Sequence, residues 1–133
     1  MKILVVDDMP LMRHVMINML RKLGYRDVVE ATDGSQALKL LQSTKFDLVL
    51  TDLNMPKISG KDLFMTIRSN KEWGYIPVIV VTCEDQKDIV TELIRANVDG
   101  FIVKPFNLAT LKKQIDHLQK VQAQATDSAQ QTQ

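Results

Sequence analysis

The stretch Leu48-Val49-Leu50-Thr51-Asp52-Leu53-Asn54-Met55-Pro56 decides how this chain folds. Its opening residues suit a buried strand, and Pro56, which has no N–H for a strand ladder, keeps that strand from running on. Asp52 is thereby delivered to the point where a strand gives way to a loop. Three other short apolar runs stop in the same manner: Ile3 to Val6 at Asp7-Asp8, Val78 to Val81 at Thr82, and Phe101 to Val103 at Lys104-Pro105. If these strands are parallel, their carboxyl ends share one edge, and Asp7, Asp8, Asp52, Thr82 and Lys104 converge there.

The segments between the strands carry helical patterns. Pro10 opens a helix with Met12, Val15, Met16, Met19, Leu20 and Leu23 as its apolar stripe, and Gly24 stops it. Val28 to Ala31 is a weaker strand whose Glu30 predicts an edge. Asp33, with Gln36 three residues on, caps a second helix that turns Ala37, Leu38 and Leu41 inward. The next strand is Asp47 to Thr51. Gly60 admits a third helix with Leu63, Phe64 and Ile67 on its buried face. A fourth strand spans Ile76 to Val81, and a fourth helix runs from Asp85 to Ala96 on Ile89, Val90, Leu93 and Ile94, closing near Asn97. Gly100 to Val103 is the fifth strand. Asn107 caps a fifth helix that buries Leu108, Leu111, Ile115 and Leu118. From Gln122 the residues are Ala, Gln, Thr and Ser without a stripe, which predicts a frayed or disordered tail over 122–133.

Strand and helix thus alternate five times. This predicts an α/β fold, a doubly wound parallel sheet with helices on both faces, because parallel strands need crossover connections. Ligands in such sheets bind outside the carboxyl ends of the strands. One domain over residues 1–121 accounts for the pattern, in keeping with a chain of 133 residues.

Composition narrows the function. An apolar fraction of 45% with 25% charged residues is ordinary for a globular protein, and a net charge of +1 gives no reason to expect a nucleic-acid or membrane surface. Cys83 is the single cysteine, so no internal disulfide forms. No apolar run approaches membrane-spanning length, and the expected location is the cytoplasm.

Two adjacent carboxylates facing a third repel one another, and a divalent cation removes the conflict. Mg2+ takes oxygen ligands and commonly one or two carboxylates. Asp8 and Asp52 are the expected direct ligands, Asp7 can act through a water, and the backbone carbonyl of Asn54 can contribute if the loop turns back. A carboxylate that attacks a phosphoryl group becomes an acyl phosphate. Lys104 brings a mobile positive charge and Thr82 a hydroxyl to that group, so Asp52 is the expected phosphoacceptor. A charged adduct that draws Thr82 and Lys104 toward it makes a switch. Two other classes are weaker. An aspartate-nucleophile phosphatase needs a second acid two residues after the nucleophile, where this chain has Asn54. A flavin-binding or adaptor protein leaves three clustered acids unexplained and lacks a glycine-rich phosphate loop.

The segments Ile3-Leu-Val-Val-Asp-Asp8, Asp52-Leu-Asn-Met-Pro56 with Gly60, Val80-Val-Thr82 and Phe101-Ile-Val-Lys-Pro-Phe106 resemble the receiver domain of bacterial two-component response regulators, in its single-domain, CheY-like form. The resemblance covers residues 1 to about 121. It implies a five-stranded sheet of order 2-1-3-4-5 with five helices, a flavodoxin-like three-layer sandwich. It implies phosphorylation of Asp52 by a sensor histidine kinase, Mg2+ held by Asp7 and Asp8, and Thr82 and Lys104 as readers of the phosphoryl group. It also implies Phe101 as an aromatic switch, a cis Lys104-Pro105 peptide, and output to a protein target through the fourth helix, fifth strand and fifth helix. That target can be a flagellar motor switch, or a kinase or phosphotransfer protein outside chemotaxis. A phosphatase partner and a monomeric state are expected, with no enzymatic turnover beyond Mg2+-dependent self-phosphorylation and autodephosphorylation. Chemotaxis members usually carry Tyr at position 101, and a small Ala or Ser at position 83, where Cys83 is expected to be a small buried or half-buried hydrophobe. They often have lysines where this chain has Gln114 and His117.

Overall fold

Five short strands line up in parallel, β1 (Ile3–Val6), β2 (Val28–Ala31), β3 (Leu48–Asp52), β4 (Val78–Cys83) and β5 (Gly100–Lys104), in the spatial order β2-β1-β3-β4-β5. The helices that cross between them are α1 (Pro10–Lys22), α2 (Gly34–Ser43), α3 (Gly60–Ser69), α4 (Lys87–Arg95) and α5 (Leu108–Gln131). This computed structural model describes the backbone of residues 1–83 and 87–131, with side chains through residue 122. The Asp85 start expected for the fourth helix lies outside the described residues.

The three inner strands are apolar on both faces because helices cover both. Burial along them is continuous rather than alternating: Ile3 through Val6 and Leu48 through Leu50 are all buried. One core layer joins Leu4, Val6, Val49, Val78 and Val80 to Leu41 of α2 and to Leu63, Phe64 and Ile67 of α3. The other joins Ile3, Val5, Leu48, Leu50, Ile79 and Val81 to Met16, Ile17 and Leu20 of α1 and to Leu111, Ile115 and Leu118 of α5. The 2-1-3-4-5 order places the reversal of winding between β1 and β3, so the acids that follow those strands become neighbours.

Local signals set the helix ends. Asp33 accepts a hydrogen bond from the Gln36 amide at 2.7 Å, and Gln36 Oε1 accepts from the Thr32 amide at 2.6 Å, a reciprocal cap. Ser59 caps α3 by accepting from the Asp62 amide, and Asn107 caps α5 through the Thr110 amide. Gly24, at φ 96°, ends α1 in the left-handed region that glycine enters freely.

Several expectations are corrected: Ile94, placed on the apolar stripe of α4, is exposed, and Leu108 at the start of α5 is only half-buried. The buried face of α1 is Arg13, Met16, Ile17 and Leu20, whereas Met12, Val15 and Met19 are only half-buried, because Arg13 is drawn inward by polar partners beside Asp7. Strands β3 and β4 are shifted toward their carboxyl ends, beginning at Leu48 and Val78 rather than Asp47 and Ile76, so that Asp52, Thr82 and Cys83 are strand residues paired to neighbouring strands. Cys83 is exposed rather than buried, since it is the last residue of β4 and lies beyond the continuously buried run from Val78 to Thr82. Helix α5 continues to Gln131, past the expected break at Gln122, consistent with the helix propensity of Ala and Gln. No helix among the described residues is long and apolar enough to cross a membrane.

Candidate functional site

Asp7, Asp8 and Asp52 meet at the carboxyl edge of the sheet, each offering a carboxylate oxygen, with these atoms all within 4.8 Å of one another. Register brings them together: Val6, just before the acidic pair, lies opposite Thr51, just before Asp52. Asp7 and Asp52 are buried and Asp8 is partly exposed.

Main-chain contacts fix the two buried acids. The Asp7 amide donates to the Ala31 carbonyl at 3.2 Å, and Asp7 Oδ1 accepts from the Met9 amide at 2.9 Å. Asp52 faces Val81 in β4, and the following amide, Leu53, donates to the Val81 carbonyl at 2.8 Å. Gly60 then closes the loop, its amide donating to the Leu53 carbonyl at 2.8 Å. Any side chain at Gly60 would collide with this backbone, because a Cβ there would overlap the Asp52 carbonyl oxygen and lie 2.8 Å from Leu53 Cα. The glycine is therefore required by close approach and fixes the position of the strand end that carries Asp52.

Lys104 supplies the opposite charge. Its Nζ donates to Asp52 Oδ1 at 2.8 Å, with the lysine side chain 17% and the aspartate side chain 6% exposed. One ammonium does not neutralise three carboxylates. Burial raises the pKa of Asp7 above its ordinary value, and the charges of Asp52 and Asp8 raise it further, against the lowering effects of the Met9 amide and Lys104. Asp7 Oδ2 is buried with no hydrogen-bond partner. A buried, unpartnered carboxylate oxygen on one acid of a three-carboxylate cluster fits a hard divalent cation such as Mg2+.

The remaining residues singled out in the sequence fall around this cluster. Thr82, 1% exposed, lies one residue beyond Val81, the partner of Asp52, and its hydroxyl donates to the Cys83 carbonyl at 3.3 Å. Phe101 faces Val80 across the β4–β5 pair and is half-buried. It lines an open groove of about 710 Å³ with Cys83, Lys87, Val90, Thr91 and Val103. Asn54 is exposed in the loop after β3, and the Lys104-Pro105 peptide is cis.

Sequence reasoning missed Arg13, which is 6% exposed and donates to the Asp7 carbonyl at 2.8 Å. Its spacing to Met16, Ile17 and Leu20 is the signal that places it on the buried stripe of α1.

Comparison with known proteins agrees with this geometry. Residues 3–116 match the family model described as the response regulator receiver domain. The chemotaxis protein CheY-3 of Vibrio cholerae is 45% identical over 118 residues, covering 89% of this chain and 91% of that protein. The chemotaxis protein CheY of Pseudomonas aeruginosa is 42% identical over 118 residues, covering 89% and 95%. Among solved structures, the chemotaxis response regulator CheY4 of Vibrio cholerae superposes with a TM-score of 0.79 at 32% identity, covering 88% of this chain and 97% of that one. The receiver domain of the sensor histidine kinase PA1611 from Pseudomonas aeruginosa, a structure with a magnesium ion coordinated in its active-site cleft, gives 0.76 at 30% identity and covers 90% and 94%. With the fold, the acidic edge and these similarities in agreement, this chain belongs to the response regulator receiver domain family of two-component signalling.

Proposed function

We propose that this chain is a phosphorylation-controlled response regulator acting in chemotaxis, in which Asp52 accepts a phosphoryl group from the phosphohistidine of a sensor kinase. The observation that carries this reading is the gathering of Asp7, Asp8 and Asp52 within 4.8 Å, with Lys104 Nζ held on Asp52. Asp7, Asp8, Asp52 and the backbone carbonyl of Asn54 are the proposed Mg2+ ligands. Bound Mg2+ neutralises the carboxylates and offers positive charge to the phosphoryl oxygens.

An Asp52 carboxylate oxygen attacks phosphorus, a P–O bond forms, and the P–N bond to the donor imidazole breaks. The electron pair stays on the imidazole nitrogen, which takes up a proton. Lys104 stabilises charge that develops on the equatorial oxygens, and its bond to Asp52 Oδ1 keeps it in reach. Hydrolysis of the acyl phosphate resets the chain. Small acyl phosphates serve as alternative donors.

The adduct brings roughly two negative charges into a site that holds one ammonium. Thr82 exchanges its bond to the Cys83 carbonyl for a phosphoryl oxygen, and Lys104 follows. Thr82 and Phe101 lie on adjacent strands, two residues apart in register, so a shift of Thr82 opens space toward the aromatic ring. The face formed by α4, β5 and α5 then presents a different surface to a protein target. A turnover phosphatase is disfavoured by the amide at Asn54, where such an enzyme needs a proton donor. The chain is proposed to act as a cytoplasmic monomer.

Incubation with acetyl phosphate tests the reading by intact mass. Wild type is expected to gain one phosphate with Mg2+ and none with a chelator. A gain that persists in chelator, or that survives alkaline treatment, contradicts it.

A further inference from the structure

Asp7 has four polar groups on its main chain and side chain, and three of them are engaged. The amide donates to Ala31, Oδ1 accepts from Met9, and the carbonyl accepts from Arg13 Nη1, leaving only Oδ2 without a partner. Arg13 is unusual for an arginine in being 6% exposed. The same guanidinium donates through Nε to Glu30 Oε1 at 3.0 Å. Glu30 belongs to the edge strand β2, opposite Val5 of β1, and its side chain is 47% exposed. One planar group thus ties the carbonyl of a buried acid to a carboxylate on the sheet edge.

We infer that Arg13, anchored by Glu30, is a positioning residue for the divalent cation, holding the Asp7 main chain so that its carboxylate stays within the acidic cluster. The inference rests on the cation-site reading given above. Rigid planarity is what the role needs. Arginine presents several donors in a fixed fork, whereas a lysine ammonium is a compact point charge that cannot hold both partners in this arrangement. Such outer contacts orient a ligand without touching the metal, and their loss typically weakens metal binding by roughly 10–100-fold.

Positioning and simple electrostatics predict opposite results. A guanidinium acting only as a nearby positive charge opposes cation binding, so its removal would tighten binding, and a lysine would leave it unchanged. A positioning guanidinium loses its effect in both variants. The test is Mg2+ titration of the full chain by isothermal titration calorimetry and amide NMR, for wild type, Arg13→Lys, Arg13→Gln and Glu30→Ala, with Asp8→Asn as the control for the cation site. Thermal unfolding in chelator accompanies each, so that a lower melting temperature is separated from a weaker affinity of the folded protein.

Arg13→Lys and Arg13→Gln are each expected to bind Mg2+ about tenfold more weakly or worse. Glu30→Ala, altered at a half-exposed position and expected to fold, should show a smaller but measurable weakening, with the Asp7 and Met9 amides shifted in the metal-free spectrum. Wild-type affinity in Arg13→Lys, tighter binding in Arg13→Gln, or unchanged affinity and spectra in Glu30→Ala overturns the inference. Should wild type bind no Mg2+, or Asp8→Asn bind it equally well, the cation-site reading itself fails. That result is distinct from failure of the Arg13 role alone.

Discussion

Lys104 reaches across an entire strand to Asp52: the two residues end β5 and β3, β4 lies between them, and Nζ still meets Oδ1 at 2.8 Å. Adjacent strands lie about 4.8 Å apart, so the pair spans roughly twice that distance at the backbone. Lysine is long enough to bridge the gap, and its ammonium then stands on the site's edge, where it can serve the carboxylate before phosphorylation and the phosphoryl group after it.

Lys104→Met should therefore damage chemistry more than folding. It removes a donor aimed at the developing phosphoryl charge, and losses of about 10²-fold are typical for such donors. Stopped-flow measurement of phosphorylation from acetyl phosphate at saturating Mg2+ checks this. A rate within about twofold of wild type would remove Lys104 from the transfer step.

Asp7 gives the site a pH signature. Its pKa lies above the ordinary 3.8, with burial as the main cause and Asp52 and Asp8 adding to it. The folded chain thus holds this proton to a higher pH than the unfolded chain, and ionisation of Asp7 removes stability as pH rises from the unfolded value through the raised one. In chelator at pH ~7, Asp7→Asn should be more stable than wild type, and the difference should shrink as pH falls toward the ordinary carboxylate range. Saturating Mg2+ should stabilise wild type more than the variant. Urea unfolding across pH, with and without Mg2+, measures both effects, and a less stable Asp7→Asn in metal-free buffer at neutral pH would contradict the account.

Gly60→Ala should act on the site through the backbone. The added Cβ would overlap the Asp52 carbonyl oxygen and lie 2.8 Å from Leu53 Cα, and neither can move without shifting the strand end. A loss of about 1–3 kcal/mol in denaturant unfolding is expected, together with slower phosphorylation. Unchanged stability would show that the loop yields more readily than its hydrogen bonds indicate.

Much of the site was legible in the sequence because strand ends are marked twice. An apolar run gives the strand, and the polar residues that stop it give the edge, so Asp7, Asp8, Asp52, Thr82 and Lys104 could be placed together from the residues alone. Strand bounds were less accurate, since Asp52 and Thr82 stay in the ladder through main-chain pairing that side-chain polarity does not report. Arg13 was hidden for a related reason: hydropathy assigns an arginine to solvent, and only partners outside its own helix, the Asp7 carbonyl and Glu30, make burial favourable. The exposure of Cys83 depended on where β4 ends, and the length of α5 on backbone propensity where no apolar stripe exists.

Chemical trapping of the adduct tests the central claim most directly. After incubation with acetyl phosphate and Mg2+, borohydride reduction converts an aspartyl phosphate to homoserine, which peptide mass spectrometry can assign to a position. The account predicts homoserine at residue 52 in wild type and none anywhere in Asp52→Asn. Reduction at another aspartate in wild type, or an intact phosphate on serine, threonine or histidine, would contradict it.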